Sequence, residues 1–580
     1  MAPVPRTGSP LPAAALLLCV LLGAFGWLGS RVAVAATEMR AAEAAAHDLV
    51  SAVESGDLLD AADRARTLSA HTRAARDATS DPLWPVAETM PFFGDYAAAV
   101  RILSAQSAEL LDRVLDPVLR LVEAREGAWD PGLLTALGRT LDGAGDAVAE
   151  ARTALSAVDE GDLVSPVRAG FGAVRAGLDD AAPSVDALAA LAAFAGSATE
   201  RDGGTVLLAL QNPAELRTAG GITGSFVLLR AEGGRFRIAQ QTDSTDFPEL
   251  PESIVPVPRS TARLYGEVVG RFVQNATMPT AFARSAELLT AWWRSRGGEQ
   301  PDAVVAIDPL AVRGLLTATG PVTLPDGSQL TAESLVQRVL VDPYMTRDPA
   351  GQTVVLEAIS TAVIEHFTSL DLDPLTWARA LADPIAEGRV SVWTSDEAAQ
   401  RVVDATVLSG PAGRLTAAGP DAFAVFLNDA TGGKMDTFLH ADMELTAIGC
   451  RGDGRVEIRL RVTMRSTAPA GAGDVLPPSM TGHGLFGTGA GDIGTSVSVA
   501  APAGTYFGGV TKDGAHLLSV DVEDEGRPTS LVRINLSPGE VNVVEFGFLA
   551  ARPGSLDLRL VHTPLVNTPA VTVDAGGGCR

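Results

Sequence analysis

TVLLALQNPAELRTAGGITGSFVLLR, residues 205–230, is the stretch on which the fold of the central part of the chain depends. Two short apolar runs within it, 206–210 and 225–229, predict buried strands, because both are rich in leucine and valine and border turn-forming residues. The sequence between the runs is polar and includes two consecutive glycines. The pattern therefore predicts a strand, a polar loop and a second strand.

The predicted loop is suited to hold a polar site. Glu215 and Arg217 lie two residues apart, and Gly220 and Gly221 follow them. Glycines let the backbone approach a ligand closely, while the flanking strands fix the neighbouring side chains. We therefore take Glu215 and Arg217 as candidate ligand-binding residues. The alternative is a structural ion pair between the two side chains.

Composition indicates a large, acidic, globular protein. The 580 residues are too many for one hydrophobic core, so several domains are expected. Acidic side chains number 70 against 45 basic ones, a formal charge of −25, which excludes a surface built to neutralise nucleic acid. Lys434 and Lys512 are the only lysines, and this arginine and alanine bias is of the actinobacterial type, typical of a high-GC bacterial genome.

The amino terminus predicts a membrane anchor. Residues 11–28 carry no charge and contain eight leucines or valines, between Arg6 and Arg31. A signal peptide usually has a core of about 7–15 apolar residues, whereas a spanning helix needs about 20. We therefore predict an uncleaved signal anchor that contacts the membrane through residues 11–30. The alternative is cleavage after Ala35. In both cases the rest of the chain is exported, and no later segment is expected to span again.

The cysteines are consistent with export. Cys19 lies in the predicted anchor, which leaves Cys450 and Cys579 as the only pair outside it. In an oxidising compartment these two are a candidate disulfide; the alternative is two free thiols. The sequence has no Cys/His cluster with zinc spacing, so no metal site is predicted.

Hydrophobic periodicity divides the chain into regions. Leucines and valines recur at three- and four-residue steps up to about residue 200, which predicts helices interrupted at prolines. Strands then mix with helices, and the last region has strands that alternate in period two. We predict a multidomain α+β protein with these parts: cytoplasmic tip and transmembrane helix 1–36, helical bundle or stalk 37–200, α/β domain 201–400, linker 401–421 and immunoglobulin-like β-sandwich 422–580.

Three aspartates follow predicted strands. Asp243 and Asp246 come at the end of the third strand of the α/β domain, and Asp308 follows a strand at 302–307 and precedes Pro309. Carboxylates at strand ends are candidate ligand-binding groups. For Asp308 the alternative is a helix N-cap, because Asp followed by Pro is typical of a helix start. Asn428, Asp429 and Lys434 are interpreted as turn residues that join the sandwich to the α/β domain.

Four motifs resemble the bacterial family named domain of unknown function 4012. They are QNPAELRTAGGITGSFVLL (211–229), PDAVVAIDPLAVRGLLTATGPV (301–322), LVDPYM (340–345) and FLNDATGGKMDTFLHADMEL (426–445). SDPLWPVAETMPFFGDYAAAVR (80–101) resembles the segment that usually precedes the domain. The resemblance implies an envelope protein with one amino-terminal anchor and an extracytoplasmic α/β domain, and it brings no established activity. The Asp-Phe-Pro expected before Ser285 is missing.

The α/β domain is also remotely similar to the LytR-CpsA-Psr envelope enzymes, which transfer glycopolymers from polyprenyl pyrophosphate carriers to peptidoglycan. That similarity implies a pyrophosphate-binding role for Arg217, with Asp243 or Asp246 near a second loop of the site. An arginine fork can bind phosphate oxygens in pairs, and aspartates can hold Mg²⁺. Magnesium is expected as a cofactor under this alternative alone.

The sequence leaves three functions open, and whether the protein is an enzyme is undecided. HExxH, GxSxG and P-loop motifs are absent. We expect a single-pass plasma-membrane protein with its bulk outside the cytoplasm and a ligand-binding or assembly role. The alternatives are a LytR-CpsA-Psr-like phosphotransferase and a structural scaffold of a membrane complex. An envelope glycopolymer, a lipid carrier or an envelope protein is the expected partner.

Overall fold

The chain forms two compact units: Met1–Gly127 with Arg139–Ala189, and Ala128–Gly138 with Ala190–Arg580. The second unit takes in 128–138 and 190–200, which the sequence assigned to the stalk, and it holds both the α/β region and the sandwich. The computed structural model describes residues 11–55, 58–90, 94–123, 132–159, 161, 163, 165–370, 374–576 and 579.

The amino-terminal region is helical, as predicted. Its alanine-rich helices pack closely because many of the buried side chains are methyl groups, such as those of Ala75, Ala97 and Ala99. α2 packs against both α1 and α4. The helices are α1 (Leu11–Ser55), α2 (Leu58–Thr79), α3 (Trp84–Glu88), α4 (Gly94–Glu123), α5 (Gly132–Ser156) and α6 (Ser165–Glu200).

One described helix is long and apolar enough to cross a membrane by length and composition, and it is Arg168–Glu200 in α6. The expectation that no segment after the predicted anchor has this property is therefore wrong, because residues 181–198 of α6 are rich in alanine and contain a single charged residue, Asp186. A third of the most apolar stretch of this helix is buried inside the protein. Phe194 and Ala198 pack against the central sheet at Val206 and Leu229, as the residues of a core helix do.

The predicted anchor is described only in part. Residues 1–10 lie outside the described residues, and for 11–25 the structure describes the helix but not the side chains. The described side chains of α1 begin at Gly26. The anchor at 11–30 therefore stays a prediction.

The α/β region is built on a five-stranded mixed sheet of order β3-β2-β1-β4-β7, in which β1 and β4 are parallel and the other neighbours antiparallel. The strands of this sheet are β1 (Thr205–Arg217), β2 (Gly220–Glu232), β3 (Arg235–Asp243), β4 (Ala303–Ile307) and β7 (Val390–Thr394). A separate two-stranded sheet consists of β5 (Val322–Thr323) and β6 (Gln329–Leu330). The helices are α7 (Arg259–Tyr265), α8 (Val268–Arg271), α9 (Phe282–Ser295), α10 (Pro309–Thr319), α11 (Ala332–Val336), α12 (Asp342–Thr346), α13 (Pro349–Ser369), α14 (Pro374–Ala386), α15 (Glu397–Asp404) and α16 (Pro411–Ala417).

The polar loop predicted between the first two strands is instead part of a long buried hairpin. β1 continues to Arg217 and β2 begins at Gly220, so the turn itself is two residues long. Residues 213–215 form a bulge in β1, between Asn212 and the pairing of Leu216 with Gly221. A Cβ on Gly221 would lie 2.3 Å from the Asn212 carbonyl oxygen, so the hairpin needs glycine there.

The carboxyl-terminal region consists of two sheets that share one core, of orders β13-β12-β16-β10-β9-β18 and β14-β15-β11-β8-β17. Buried residues alternate with half-buried or exposed ones along β10 and along β9 as far as Thr446, as the period-two pattern predicts. The elements are β8 (Ala422–Asp429), β9 (Leu439–Cys450), β10 (Arg455–Ser466), α17 (Ala472–Val475), α18 (Pro478–Thr481), β11 (Ile493–Ala500), β12 (Tyr506–Lys512), β13 (Ala515–Leu517), β14 (Val520–Asp524), β15 (Arg527–Leu536), β16 (Val541–Pro553), β17 (Arg559–His562) and β18 (Val571–Asp574).

Residues 401–421, predicted as a linker, are folded and partly buried. α16 lies in this segment, and its Leu415 packs against Ala424 and Phe426 on the outer face of β8. β8 is consequently buried along its whole length on both faces. At the other side of the joint, Leu216 of the β1–β2 hairpin enters the core of the sandwich. The α/β region and the sandwich therefore share apolar contacts at two places.

Candidate functional site

Two cations meet one carboxylate where the hairpin enters the sandwich. Lys434 Nζ donates to Glu215 Oε2 at 2.6 Å, and Arg217 Nη2 donates to Glu215 Oε1 at 3.3 Å. All three residues are more than nine-tenths buried. Burial alone favours the neutral form of Glu215, but the charges of Lys434 and Arg217 outweigh burial and lower the pKa of this carboxyl. Lys434 Nζ also lies 5.2 Å from the centre of the Tyr344 ring.

The donors of Arg217 are taken up by the protein. Nε and Nη2 donate to Asn275 Oδ1 at 3.1 and 2.9 Å. Nη1 donates to the carbonyl oxygens of Leu216 at 2.7 Å and Asp429 at 3.4 Å, while Nη2 also serves Glu215. These five hydrogen bonds match the five N–H groups of a guanidinium. A phosphate could bind Arg217 only if some of these contacts opened.

Two further buried carboxyls lie close to this ion pair. Asp436 Oδ2 accepts the Leu216 N–H at 2.7 Å, whereas Asp436 Oδ1 has no hydrogen-bond partner among the described residues. Burial and the neighbouring Asp429 raise the pKa of Asp436 well above its usual value. Burial and the charge of Glu215 raise the pKa of Asp429 to about 6. Neutral carboxyls reduce the excess of negative charge in this buried cluster.

The loop after β8 is shaped to place Lys434. The Lys434 N–H donates to the Met480 carbonyl at 2.8 Å, and a Cβ on Gly433 would lie 2.4 Å from that same oxygen. Only glycine therefore allows the loop to approach α18 so closely. Asn428, at the end of β8, accepts the Thr218 N–H at 2.9 Å. The residues interpreted as a joining turn thus contact the tip of the β1–β2 hairpin directly.

We predict that this cluster makes stability depend on pH. A carboxyl whose pKa is higher in the folded than in the unfolded state contributes stability at low pH that is lost as pH rises. The pKa of Asp429 is about 6 in the folded state against a reference value of 3.8. The stability that the protonated Asp429 carboxyl contributes should therefore be lost as pH rises from about 3.8 to about 6. Over that pH range the free energy of unfolding of the wild type should fall by about 1–3 kcal/mol relative to that of Asp429→Asn. Denaturant titrations at several pH values will measure this, and a difference that stays constant with pH would contradict it.

Asp308 acts as a helix N-cap and as an ion-pair partner at the same time. Its Oδ1 accepts the N–H groups of Leu310 and Ala311, both at 2.9 Å, so the predicted capping alternative is found. Its Oδ2 accepts from Arg389 Nη1 at 2.8 Å. Arg389 Nη2 donates in turn to the Leu565 carbonyl at 2.9 Å, which ties β4 and β7 to the sandwich. This is a second buried polar joint.

Arg414 of α16 extends this second joint. Its Nη1 donates to the His562 carbonyl at 2.8 Å. Burial and the nearby charge of Arg389 lower the pKa of Arg414 to about 10. The α/β region and the sandwich are therefore linked by charged side chains at two places.

Asp243 and Asp246 form a capping box around the 3₁₀ turn Ser244–Asp246. Asp243 Oδ1 accepts the Thr245 N–H at 2.8 Å, and Asp246 Oδ2 accepts from the Thr242 hydroxyl at 2.7 Å. The Thr242 contact lowers the pKa of Asp246. Within the described ranges neither aspartate has a hydrogen bond or ion pair to Arg217 or Asp308. The structure thus brings together Glu215 and Arg217 but not all five candidates.

A separate cavity of about 180 Å³ lies at the amino-terminal ends of β1 and β4. Its polar lining includes Arg201, Asp302 and Asp396. Asp302 Oδ2 already accepts the Thr205 N–H at 2.8 Å, and Asp396 caps α15. None of the residues predicted from sequence lines it.

The two cysteines outside the predicted anchor form a disulfide. Cys450 and Cys579 are bonded, with their Cα atoms 5.6 Å apart, and they are 129 positions apart in sequence. In the described part of the chain, no group of three or more His, Cys, Asp or Glu side chains is placed to hold a metal ion.

Sequence reasoning missed Asp436, Asn275, Arg389 and Arg414 as members of the two joints. Of these four, only Asp436 could have been found from the sequence, because it lies in the GGKMD segment of the motif at 426–445. The others are single polar residues in apolar surroundings, and their roles depend on partners more than 50 positions away.

Residues 202–344 match the model of a family described as a protein of unknown function, DUF4012. The matched segment runs from Asp202, three residues before β1, to Tyr344, which lies beside Lys434. Neither a curated protein nor a solved structure matches the chain.

Proposed function

We propose that this chain, whose residues 202–344 belong to the DUF4012 family, is a single-pass membrane-anchored envelope protein with an extracytoplasmic assembly role. The observation that carries the assembly role is the buried ion-pair cluster around Glu215. Its cations serve carboxylates and carbonyls of the protein itself, so they stabilise the joint between the α/β region and the sandwich. A joint of this kind suits a scaffold that presents its outer surfaces to partners.

Export is supported by two independent features. The bond between Cys450 and Cys579 is of the type that persists in oxidising compartments. The uncharged run at 11–28 is longer than a usual signal-peptide core. Both features support the proposal that the bulk of the chain lies outside the cytoplasm.

We assign the α/β region to a LytR-CpsA-Psr-like fold and the two carboxyl-terminal sheets to the immunoglobulin-like type.

The alternative function is transfer of a glycopolymer from a polyprenyl pyrophosphate carrier, assisted by Mg²⁺. That reaction needs Arg217 donors free for phosphate, whereas they are all engaged in the structure.

Topology is tested with reporters fused after residue 40 of the chain. We expect a reporter active only outside the cytoplasm to show activity, and a cytoplasmic one to show none. Non-reducing peptide mapping of the membrane fraction should recover Cys450 linked to Cys579. An active cytoplasmic reporter together with free thiols would overturn the proposed location.

The assembly and enzyme alternatives are separated by ligand binding. Full-length protein in detergent is titrated with a polyprenyl phosphate and Mg²⁺, comparing wild type with Arg217→Met and with the surface control Arg284→Met. We expect the three proteins to show no difference in binding, because Arg217 is engaged within the protein. Saturable binding that Arg217→Met abolishes and Arg284→Met preserves would favour the phosphotransferase.

A further inference from the structure

The helix that carries the predicted anchor continues without interruption into the folded helical unit. α1 runs from Leu11 to Ser55, and the uncharged run ends at Leu28. The first charged residue after the run is Arg31. Because α1 is continuous, an element that packs against it near Leu28 lies next to the end of the uncharged run.

The short helix α3 packs at that level. Trp84 and Ala87 are fully buried and form a cluster with Leu28, which is itself buried. Trp84 Nε1 donates to the Ala97 carbonyl of α4 at 3.0 Å, which fixes the orientation of α3. One face of α3 is therefore fixed against α1 and α4.

A carboxylate ties the beginning of α3 to the end of the apolar run. Asp81 Oδ2 accepts from Trp27 Nε1 at 2.8 Å and lies 3.4 Å from Arg31 Nε. The guanidinium of Arg31 stacks on the Trp27 ring at 4.6 Å from its centre. Trp27, Arg31 and Asp81 thus form a compact polar and aromatic group next to Leu28.

The opposite face of α3 is apolar and exposed. Leu83, the N-cap residue of α3, is 36% exposed, and Val86 of α3 is 53% exposed. The two are three residues apart and therefore lie on the same side of the turn. Trp27 beside them is 49% exposed. The one charged residue of α3, Glu88, is paired with Arg101. No charge of α3 is therefore left to oppose contact with an apolar phase.

We propose that Leu83 and Val86, together with Trp27, form a second membrane contact that lies in the headgroup and upper acyl region of the bilayer. This inference rests on the proposed anchor. Tryptophan is enriched at membrane interfaces, and arginine keeps its charged end in the headgroups while its stem covers apolar surface. Exposed apolar side chains on one face of a helix enter the interface by burying that face. The contact would fix the tilt of α1 as it leaves the membrane.

Single environment-sensitive probes test the contact in the full-length protein. In a Cys19→Ser background the fluorophore NBD is attached to Val86→Cys, and in a matched control to Val50→Cys. Val50 is 56% exposed against 53% for Val86, but it lies 23 residues beyond Trp27 on α1, about 35 Å along the helix. Proteins are reconstituted into phosphatidylglycerol vesicles that contain lipids with a nitroxide near the headgroup end of the acyl chain.

We expect a blue-shifted emission and quenching by the nitroxide at position 86, with neither effect at position 50. The wild-type protein labelled at Cys19 reports separately on the anchor. Quenching at 19 without quenching at 86 would overturn the second contact and leave the anchor standing. Quenching at 86 and 50 alike would also overturn it, because α1 would then lie along the surface. Failure at both 19 and 86 would overturn the anchor and the contact together.

Discussion

Replacing Arg217 by methionine is expected to lower the free energy of unfolding by about 3–5 kcal/mol. The substitution keeps a similar volume but removes five hydrogen bonds from a residue that is 5% exposed. Asn275 Oδ1 loses both guanidinium donors, and Glu215 keeps Lys434 as its only charged partner among the described residues. Breaking one member of a buried charge cluster leaves the others insufficiently compensated.

The measurement combines denaturant unfolding with hydrogen exchange on the full-length protein. The amides of Leu216 and Thr218 donate to Asp436 and Asn428, so they should exchange faster in the variant. Arg284→Met is the control, because the Arg284–Glu287 pair is about half exposed and such pairs contribute about 0–1 kcal/mol. Unchanged stability with lost phosphate binding would show that Arg217 serves a ligand.

Loss of the disulfide is expected to be the other large effect. In the loop-entropy model, a cross-link across 129 positions restricts the unfolded chain by about 4–5 kcal/mol at 25 °C. Cys450→Ser should therefore lower the stability of the sandwich by up to that amount. The bond joins the end of β9 to the segment after β18, so β18 should also exchange its amides faster.

Urea midpoints of the oxidised wild type, the reduced wild type and Cys450→Ser provide the test. The reduced wild type and the variant should have the same lowered midpoint. Cys19→Ser is the matched control, since Cys19 is not part of the bond, and it should leave the midpoint unchanged. A midpoint unaffected by reduction would contradict the prediction.

Local patterns predicted the elements well where one physical requirement dominated. The period-two alternation at 456–464 places β10, because one face of the strand must be buried. Asp308 before Pro309 marks the start of α10, because its side chain caps the first free amides. The alanine-rich periodicity up to residue 200 indicates the helical region.

Predictions differed from the structure where burial came from a distant part of the chain. Glu215 and Arg217 suggested an exposed polar loop because charged residues usually lie at the surface. They lie within a buried hairpin because Lys434 and Asn275, far away in sequence, neutralise and hydrogen-bond them. Residues 401–421 suggested a linker, but Leu415 covers the outer face of β8.

The sequence by itself determined the two strands at 205–230, the helical and β-rich regions, the cysteine pair and the glycines that permit a tight hairpin. These follow from periodicity, composition and local backbone geometry, which act over a few residues. Only the tertiary structure decided that Glu215 and Arg217 stabilise a joint rather than line an open loop. Their partners Lys434 and Asn275 are 219 and 58 positions away, and contacts over such separations are set by packing of the whole fold.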